Sequence, residues 1–396
     1  MTTRSPSIDP TRRAARAPAL LRFVAACLLA LLAPATRAGE GTLIVLNKSD
    51  DTATLIDLAE GGRTLTLPTG GGPHEVAVSP DGRTAVVADY GTARNGSWVN
   101  GHTLTVLELP AGTVRDTIDL QLNEQPHGIQ FLPGGEQVLV TAESRAAVVV
   151  VDVARGRVLR SVPTEARGSH MVVASPDGKR AYTANMGSAS VSVLDLEEGR
   201  LLAQVDTGAE CEGIDVTPDG RQVWASNRAA GTLSVIDTET HEVLAELPCA
   251  GFPIRVKITP DGRRALVSCA TASEVAVFDV ASREELGRVV ISADIVDEAG
   301  QRLFGAAMEG SPTPIGVLVP PDGKRAYVAA ANADQVLEVD LETLTVVRGM
   351  RTGREPDGLG WSPLALAPAD DEAEHGDHAE HMEHGGHLGD DGDGER

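Results

Sequence analysis

The sequence predicts an all-β chain folded as a seven-bladed β-propeller of four-stranded blades. Three observations point there. A Pro-Asp-Gly or Pro-Gly-Gly turn recurs at Pro80, Pro133, Pro176, Pro218, Pro260 and Pro321, with a degenerate copy at Pro363. Three successive spacings are 43, 42 and 42 residues, and two of 53 and 61 carry insertions; a period in the forties marks propeller blades rather than helical solenoids. Between the turns the chain alternates small or apolar with polar residues, as in Ala181 to Asn185 and Ser190 to Leu196, the period-2 pattern of strands.

Each repeat reads as an innermost strand ending at the turn, followed by three strands moving outward. Inner strands begin near His74, His127, His170, Glu212, Ile254, Ile315 and Asp357. Outer sets follow from Arg83, Glu136, Arg180, Arg221, Arg263 and Lys324, and one more, Gly41 to Pro68, has no inner strand before it. The unpaired strand from Asp357 to Leu366 is therefore expected to complete the first blade. Pairing the N-terminal strands with the C-terminal strand closes the ring and removes free edges.

Composition agrees. Only 3% of the 396 residues are aromatic, while Gly (42) and Pro (23) are abundant, and no helical periodicity is evident after residue 40. The formal charge of −23 excludes nucleic acid as a partner, because phosphates require a basic face. Arg12, Arg13, Arg16 and Arg22 precede an apolar run from Phe23 to Leu32 and the small residues around Ala35 and Ala38. This reads as a cleaved signal peptide over residues 1–38, too short to span a membrane, so the mature chain is expected in the periplasm or secreted with no transmembrane segment. The propeller should occupy 39–368. Beyond it, residues 369–396 form an acidic tail that reads as disordered.

The segments Ala181-Tyr182-Thr183-Ala184-Asn185 and Val223-Trp224-Ala225-Ser226-Asn227 resemble the Tyr-Val-Thr-Asn signature of YVTN-repeat β-propellers. Leu233 to Thr238 and Val191 to Leu196 resemble the Val-Ser-Val-Ile-Asp-Thr strand of that family. The resemblance covers about residues 41 to 366 and implies the seven-bladed fold shared with quinoprotein amine dehydrogenase-like propellers. Its members include surface-layer and periplasmic binding proteins, so it implies little about chemistry. At the signature Asn the chain carries Asn47, Asp89, Ala142, Asn185, Asn227, Cys269 and Ala330. No Cys-x-x-Cys-His stretch is present, which excludes covalent haem.

Three groups of residues carry candidate chemistry. Six residues before each repeat proline stand His74, His127, His170, Glu212, Ile254, Ile315 and Asp357. Opening the inner strands, they should face the mouth of the central funnel. Imidazoles and carboxylates there suit a transition metal, an organic or anionic ligand, or plain hydration. Arg255, Arg145 and Arg228 would supply charge for a carboxylate ligand. Second, His375, His378, His381, His384 and His387 recur every third residue in the tail, a spacing that wraps imidazoles around Cu, Zn or Ni. Third, Cys211, Cys249 and Cys269 leave a Cys211–Cys249 or a Cys249–Cys269 bridge open.

Two insertions, Tyr90 to His102 between the second and third strands of a blade and Gly287 to Pro314 between blades, open on the top face, where repeat folds commonly build binding surfaces. The expected function is an exported binding protein that recognises a ligand or partner at this face, with metal held by the tail. The alternative is an enzyme or redox accessory with a metal or quinone cofactor in the funnel, and a cell-surface adhesion module is a third.

Overall fold

A computed structural model describes residues 40–59, 62–94, 97–296, 302 and 308–368; the leader and the His-rich tail lie outside the described residues. Seven four-stranded antiparallel sheets are present. The first blade joins β1 (Thr42–Asn47), β2 (Thr52–Asp57) and β3 (Thr64–Pro68) to β28 (Pro356–Ser362). The second holds β4 (Pro73–Val78), β5 (Thr84–Arg94), β6 (Ser97–Glu108) and β7 (Thr113–Asp119). The third holds β8 (Pro126–Phe131), β9 (Gln137–Ala142), β10 (Ala147–Asp152) and β11 (Arg157–Pro163). The fourth comprises β12 (Ser169–Ala174), β13 (Arg180–Asn185), β14 (Ser190–Asp195) and β15 (Arg200–Asp206). The fifth comprises β16 (Cys211–Val216), β17 (Gln222–Asn227), β18 (Thr232–Asp237) and β19 (Val243–Pro248). In the sixth are β20 (Pro253–Ile258), β21 (Arg264–Cys269), β22 (Glu274–Asp279) and β23 (Glu285–Val290), and in the seventh β24 (Pro314–Leu318), β25 (Arg325–Ala330), β26 (Gln335–Asp340) and β27 (Thr345–Arg351).

The expected closure is present: β28 pairs antiparallel with β1, Ile44 opposite Gly360 and Val45 opposite Leu359. The first insertion departs from expectation. Instead of a loop, it lengthens β5 and β6 into one hairpin, with Thr92 opposite Val99 and Ala93 opposite Trp98.

The repeat turns explain themselves locally. In the fourth blade the Ser175 hydroxyl and the Lys179 N–H both donate to Asp177 Oδ1, and Gly178 takes φ 70°, which suits glycine. Every such glycine also approaches the turn proline of a neighbouring blade: a Cβ on Gly178 would lie 3.0 Å from the Pro133 ring, and one on Gly135 3.2 Å from Pro80. The turn thus fixes blade packing as well as strand reversal.

Apolar clusters lie between successive blades. One joins Ile44 and Leu55 to Val76 and Val87, another Trp224 and Val235 to Val256 and Val267, and a third closes the ring by joining Tyr327 and Val336 to Leu43 and Val45. Each blade is therefore buried on both faces, which is why β1 and β10 read as continuous apolar runs.

The signature position works as a polar clamp. Asn47 donates from Nδ2 to Thr52 and Thr54 and accepts the Gly353 N–H at 2.9 Å. Asn185 and Asn227 donate likewise to Ser190 and Ser192, and to Thr232 and Ser234. At Asp89 the direction reverses: Thr103 and Thr105 donate to its carboxyl, as does Gly70 N–H. Burial pushes the Asp89 carboxyl up from 3.8 to about 7.

The folded state thus binds this proton more tightly than the unfolded chain. The resulting stability is complete below pH 3.8 and is lost as pH rises through about 7. Asp89→Asn is expected to remove that loss and to stabilise the chain at pH 8 by about 1–2 kcal/mol. Urea midpoints of both proteins at pH 5 and pH 8 check this; an unchanged difference between the two pH values would refute it.

Candidate functional site

The ring residues meet because the inner strands are irregular where those residues enter. In each, a bulge sets the ring residue outside the ladder: β8 passes from Pro126 opposite Ala142 to Ile129 opposite Val140, and β16 from Cys211 opposite Asn227 to Ile214 opposite Ala225. Bulges re-aim side chains. Glycine follows the ring residue in four blades, and a Cβ there would strike the next inner strand, 2.6 Å from Val172 N at Gly128 and 2.3 Å from Ile254 O at Gly213. Gly316 and Gly358 make equally close approaches to Asp357 and His74. In three blades the same position holds Glu75, Met171 and Arg255 instead.

The structure brings together His74, His127, His170, Glu212, Arg255 and Asp357. Ring centroids of His74 and His127 are 4.4 Å apart, and those of His127 and His170 are 3.6 Å apart. Arg255 reaches across to Glu75 at 2.7 Å and Glu212 at 3.1 Å, with Asp357 at 3.7 Å. Lys48 holds Asp357 at 2.8 Å, and Arg228 holds Glu212 at 2.7 Å. His170 is sandwiched, its Nδ1 bonded to Glu143 and its Nε2 3.6 Å from Glu212. Tyr90 donates to Glu143 at 2.8 Å and touches His74 and His127 with its ring.

Ile254 and Ile315, at the two remaining ring positions, pack with Met308 in an apolar cluster. Arg145 falls away from the mouth: it bonds the Leu122 carbonyl and borders an exposed groove. His170 lies over His127 while His74 meets it edge-on, and among the described residues no three His, Cys, Asp or Glu side chains gather in metal-ligand geometry.

Sequence reasoning missed Lys48, Tyr90 and Glu143, although a signal existed. Each follows a signature position directly, as do Met186 and Arg228, so a second ring sits one residue after the clamp. Glu75 was missed because its neighbour His74 occupied the expected register.

Protonation differs sharply within the cluster. Burial holds His74 and His127 well below the usual imidazole value, helped by Lys48 at His74 and by His170 at His127. Burial works the same way on His170, yet hydrogen bonds to Glu143 and Glu212 outweigh it and raise that pKa. Glu212 shows the counterpart: burial opposes ionisation, but His170, Arg255 and Arg228 bring it down to about 2. An imidazole that holds its proton more tightly than usual therefore lies against one that holds it less tightly.

These groups border a cavity of about 900 Å³ whose wall includes Lys48, Arg228, Arg255, Arg302 and Arg354 against Glu212, Glu355 and Asp357. Trp98, half exposed at the tip of the long hairpin, forms a further side. Below Arg255 the channel is lined by Val76, Phe131, Val216 and Trp361 together with polar residues such as Gln130, Asp215 and Lys257.

Residues 40–295 match the family model described as Lactonase, 7-bladed beta-propeller. The chain belongs to this family. The match does not extend to the finer YVTN-repeat grouping. Two solved structures share the fold. Hydrazine synthase of Kuenenia stuttgartiensis aligns at 18% identity and TM-score 0.60, over 72% of this chain and 88% of its own. A functionally unknown protein from Desulfotomaculum acetoxidans DSM 771 aligns at 15% identity and TM-score 0.66, over 83% and 100%. No curated protein matches the chain.

The raised His170 pKa contributes stability that is complete below 6.5 and is lost as pH rises through the folded value. His74 and His127, held neutral, act in the opposite sense, so a difference between variants isolates His170. Glu143→Gln should lower the His170 titration midpoint by about one pH unit or more, read from its imidazole NMR signals. An unmoved midpoint would show that Glu143 does not hold the proton.

Proposed function

We propose that the chain is a binding protein whose top-face cavity takes a small organic anion with at least one carboxylate. The observation that carries this reading is the set of arginine forks at the mouth. Arg228, Arg255, Arg302 and Arg354 line the cavity with Lys48, beside Glu212, Glu355 and Asp357. Each arginine is held by a carboxylate, Arg228 by Glu210 and Glu212, Arg255 by Glu75, Arg302 by Asp334 and Arg354 by Asp50. Guanidinium forks fixed in place this way suit a further carboxylate. His127 supports it: the ring is buried in the cavity wall and neither nitrogen has a hydrogen-bond partner. Such orphans are costly unless a ligand or water completes them.

Family membership favours a second reading, opening of a lactone, whose product is itself a hydroxy carboxylate. Neutral His127 would take a proton from attacking water, and charged His170 would donate one to the departing ring oxygen. Environments that push neighbouring pKa values apart mark such acid–base pairs. A metal centre in the funnel fits less well, because the described residues there offer no group of three convergent donors.

Calorimetric titration of the full chain with mono-, di- and hydroxycarboxylates and with simple lactones tests both readings. A saturable exotherm with one carboxylate class is expected, weakened about tenfold or more by Arg228→Gln. Absence of any binding at millimolar concentration overturns the proposal. Consumption of a lactone, abolished by His127→Gln, would select the second reading.

We propose further that residues 1–38 direct export and that His375, His378, His381, His384 and His387 bind Cu, Zn or Ni. Both segments lie outside the described residues, and the support is their sequence pattern. Elemental analysis of the full chain and of a chain ending at Pro368 should show metal in the first only. Equal metal in both would remove the tail from the account.

A further inference from the structure

The clamp that ends the second strand of a blade ties that strand to the connection arriving from the preceding blade. Asn47 accepts the N–H of Gly353, and Asp89 that of Gly70; Gly208 passes equally close to Asn227. In the sixth blade this slot holds Cys269. The hydroxyl partners used elsewhere, five and seven residues further on, are here Glu274 and Ala276. The whole polar device is therefore missing, and the change is coordinated.

The arriving connection supplies something else. Cys249 lies directly after β19, tied to the fifth blade by its N–H to the Gly231 carbonyl at 2.8 Å. Its Sγ is 3.7 Å from that of Cys269, and both residues are fully buried in the cluster between the fifth and sixth blades. The third and seventh blades have also lost the signature Asn, to Ala142 and Ala330, yet carry no cysteine pair. Loss of the clamp alone does not bring cysteines together.

We propose that Cys249 and Cys269 form a disulfide that acts as a covalent clamp between the fifth and sixth blades. The thiols need a side-chain rotation to close from 3.7 Å to the ordinary bond of about 2.05 Å. In the reaction each sulfur loses its proton, the pair gives up two electrons, and one S–S bond forms. The oxidant is the disulfide of a thiol–disulfide oxidoreductase or of glutathione; its own S–S bond breaks, and it leaves as two thiols carrying the electrons and protons. Hydrogen bonding with Cys249 pulls the Cys269 thiol below its usual value, with Arg288 assisting, so Cys269 is the readier nucleophile. Full burial means that the bond forms before the two blades finish packing. Cys211 is the internal comparison: it is buried without a sulfur partner, its thiol pushed up to about 12, and it stays free.

The test uses the full-length chain, unfolded, refolded with a glutathione redox mixture, then denatured and labelled with a maleimide before and after reduction. Peptide mapping should show Cys211 labelled before reduction, and Cys249 and Cys269 only after it. A linked peptide lighter by two hydrogens should contain both of the latter. Reduction should lower the melting temperature by about 4 °C, and the Cys249→Ala/Cys269→Ala double variant should show no response to reductant. Labelling of Cys249 and Cys269 without reduction, or Cys211 in the linked peptide, overturns the proposal whatever the variants do.

Discussion

Every blade of this molecule is apolar on both faces, so no blade can be stable without two neighbours. That constraint makes ring closure the condition on which everything else depends. The pairing of β28 with β1 completes the first blade from the two ends of the propeller sequence. It also creates the last interblade core, where Leu43 and Val45 meet Tyr327 and Val336. The alternative, an open arc, would leave one strand edge unpaired and two apolar faces in water.

Closure crowds the inner strands at the axis, and there the chain departs from economical packing. Glu75, Glu212, Asp357, Lys48 and Arg255 are all nearly or wholly removed from water. Buried ion pairs seldom repay the desolvation of both partners, and replacing them with apolar groups is often neutral or stabilising. A network of this size is better understood as a prepared electrostatic surface than as a source of stability. Glu212 Oε2 and Asp357 Oδ1 also lack hydrogen bonds but face Arg228 at 2.7 Å and Arg255 at 3.7 Å, so the wholly unpartnered nitrogens of His127 stand out.

The fold was legible because each blade repeats three cues together: the turn, the strand alternation and the spacing. Counting strands even located the closing pair. The funnel was half legible. Position relative to the repeat proline identified His74, His127, His170, Glu212 and Asp357, but that rule follows only one ring. Lys48, Tyr90 and Glu143 obey a different offset, one residue after the clamp, and Glu75 enters only because a bulge turns two successive residues inward. Arg145 shows the limit of offset reasoning. It ends the short helical turn Glu143–Arg145 and turns outward to Leu122, a matter of local backbone that spacing does not encode. The long hairpin is legible as an insertion but not as continuous strand, since the pairing of Thr92 with Val99 extends through residues with no clear alternation.

The two rings divide the labour of the sequence in a useful way. Each blade offers the axis one residue at the entry of its inner strand and one just after its clamp, and where these are charged or histidine they stand outside the apolar clusters between blades. Changes at these addresses would rewrite what the mouth recognises while leaving the scaffold alone. A repeat fold arranged like this is a socket with interchangeable contacts, one pair per blade. Its specificity can diverge quickly among relatives whose cores remain superimposable, and overall likeness to another propeller is then a poor guide to what that propeller's partner holds.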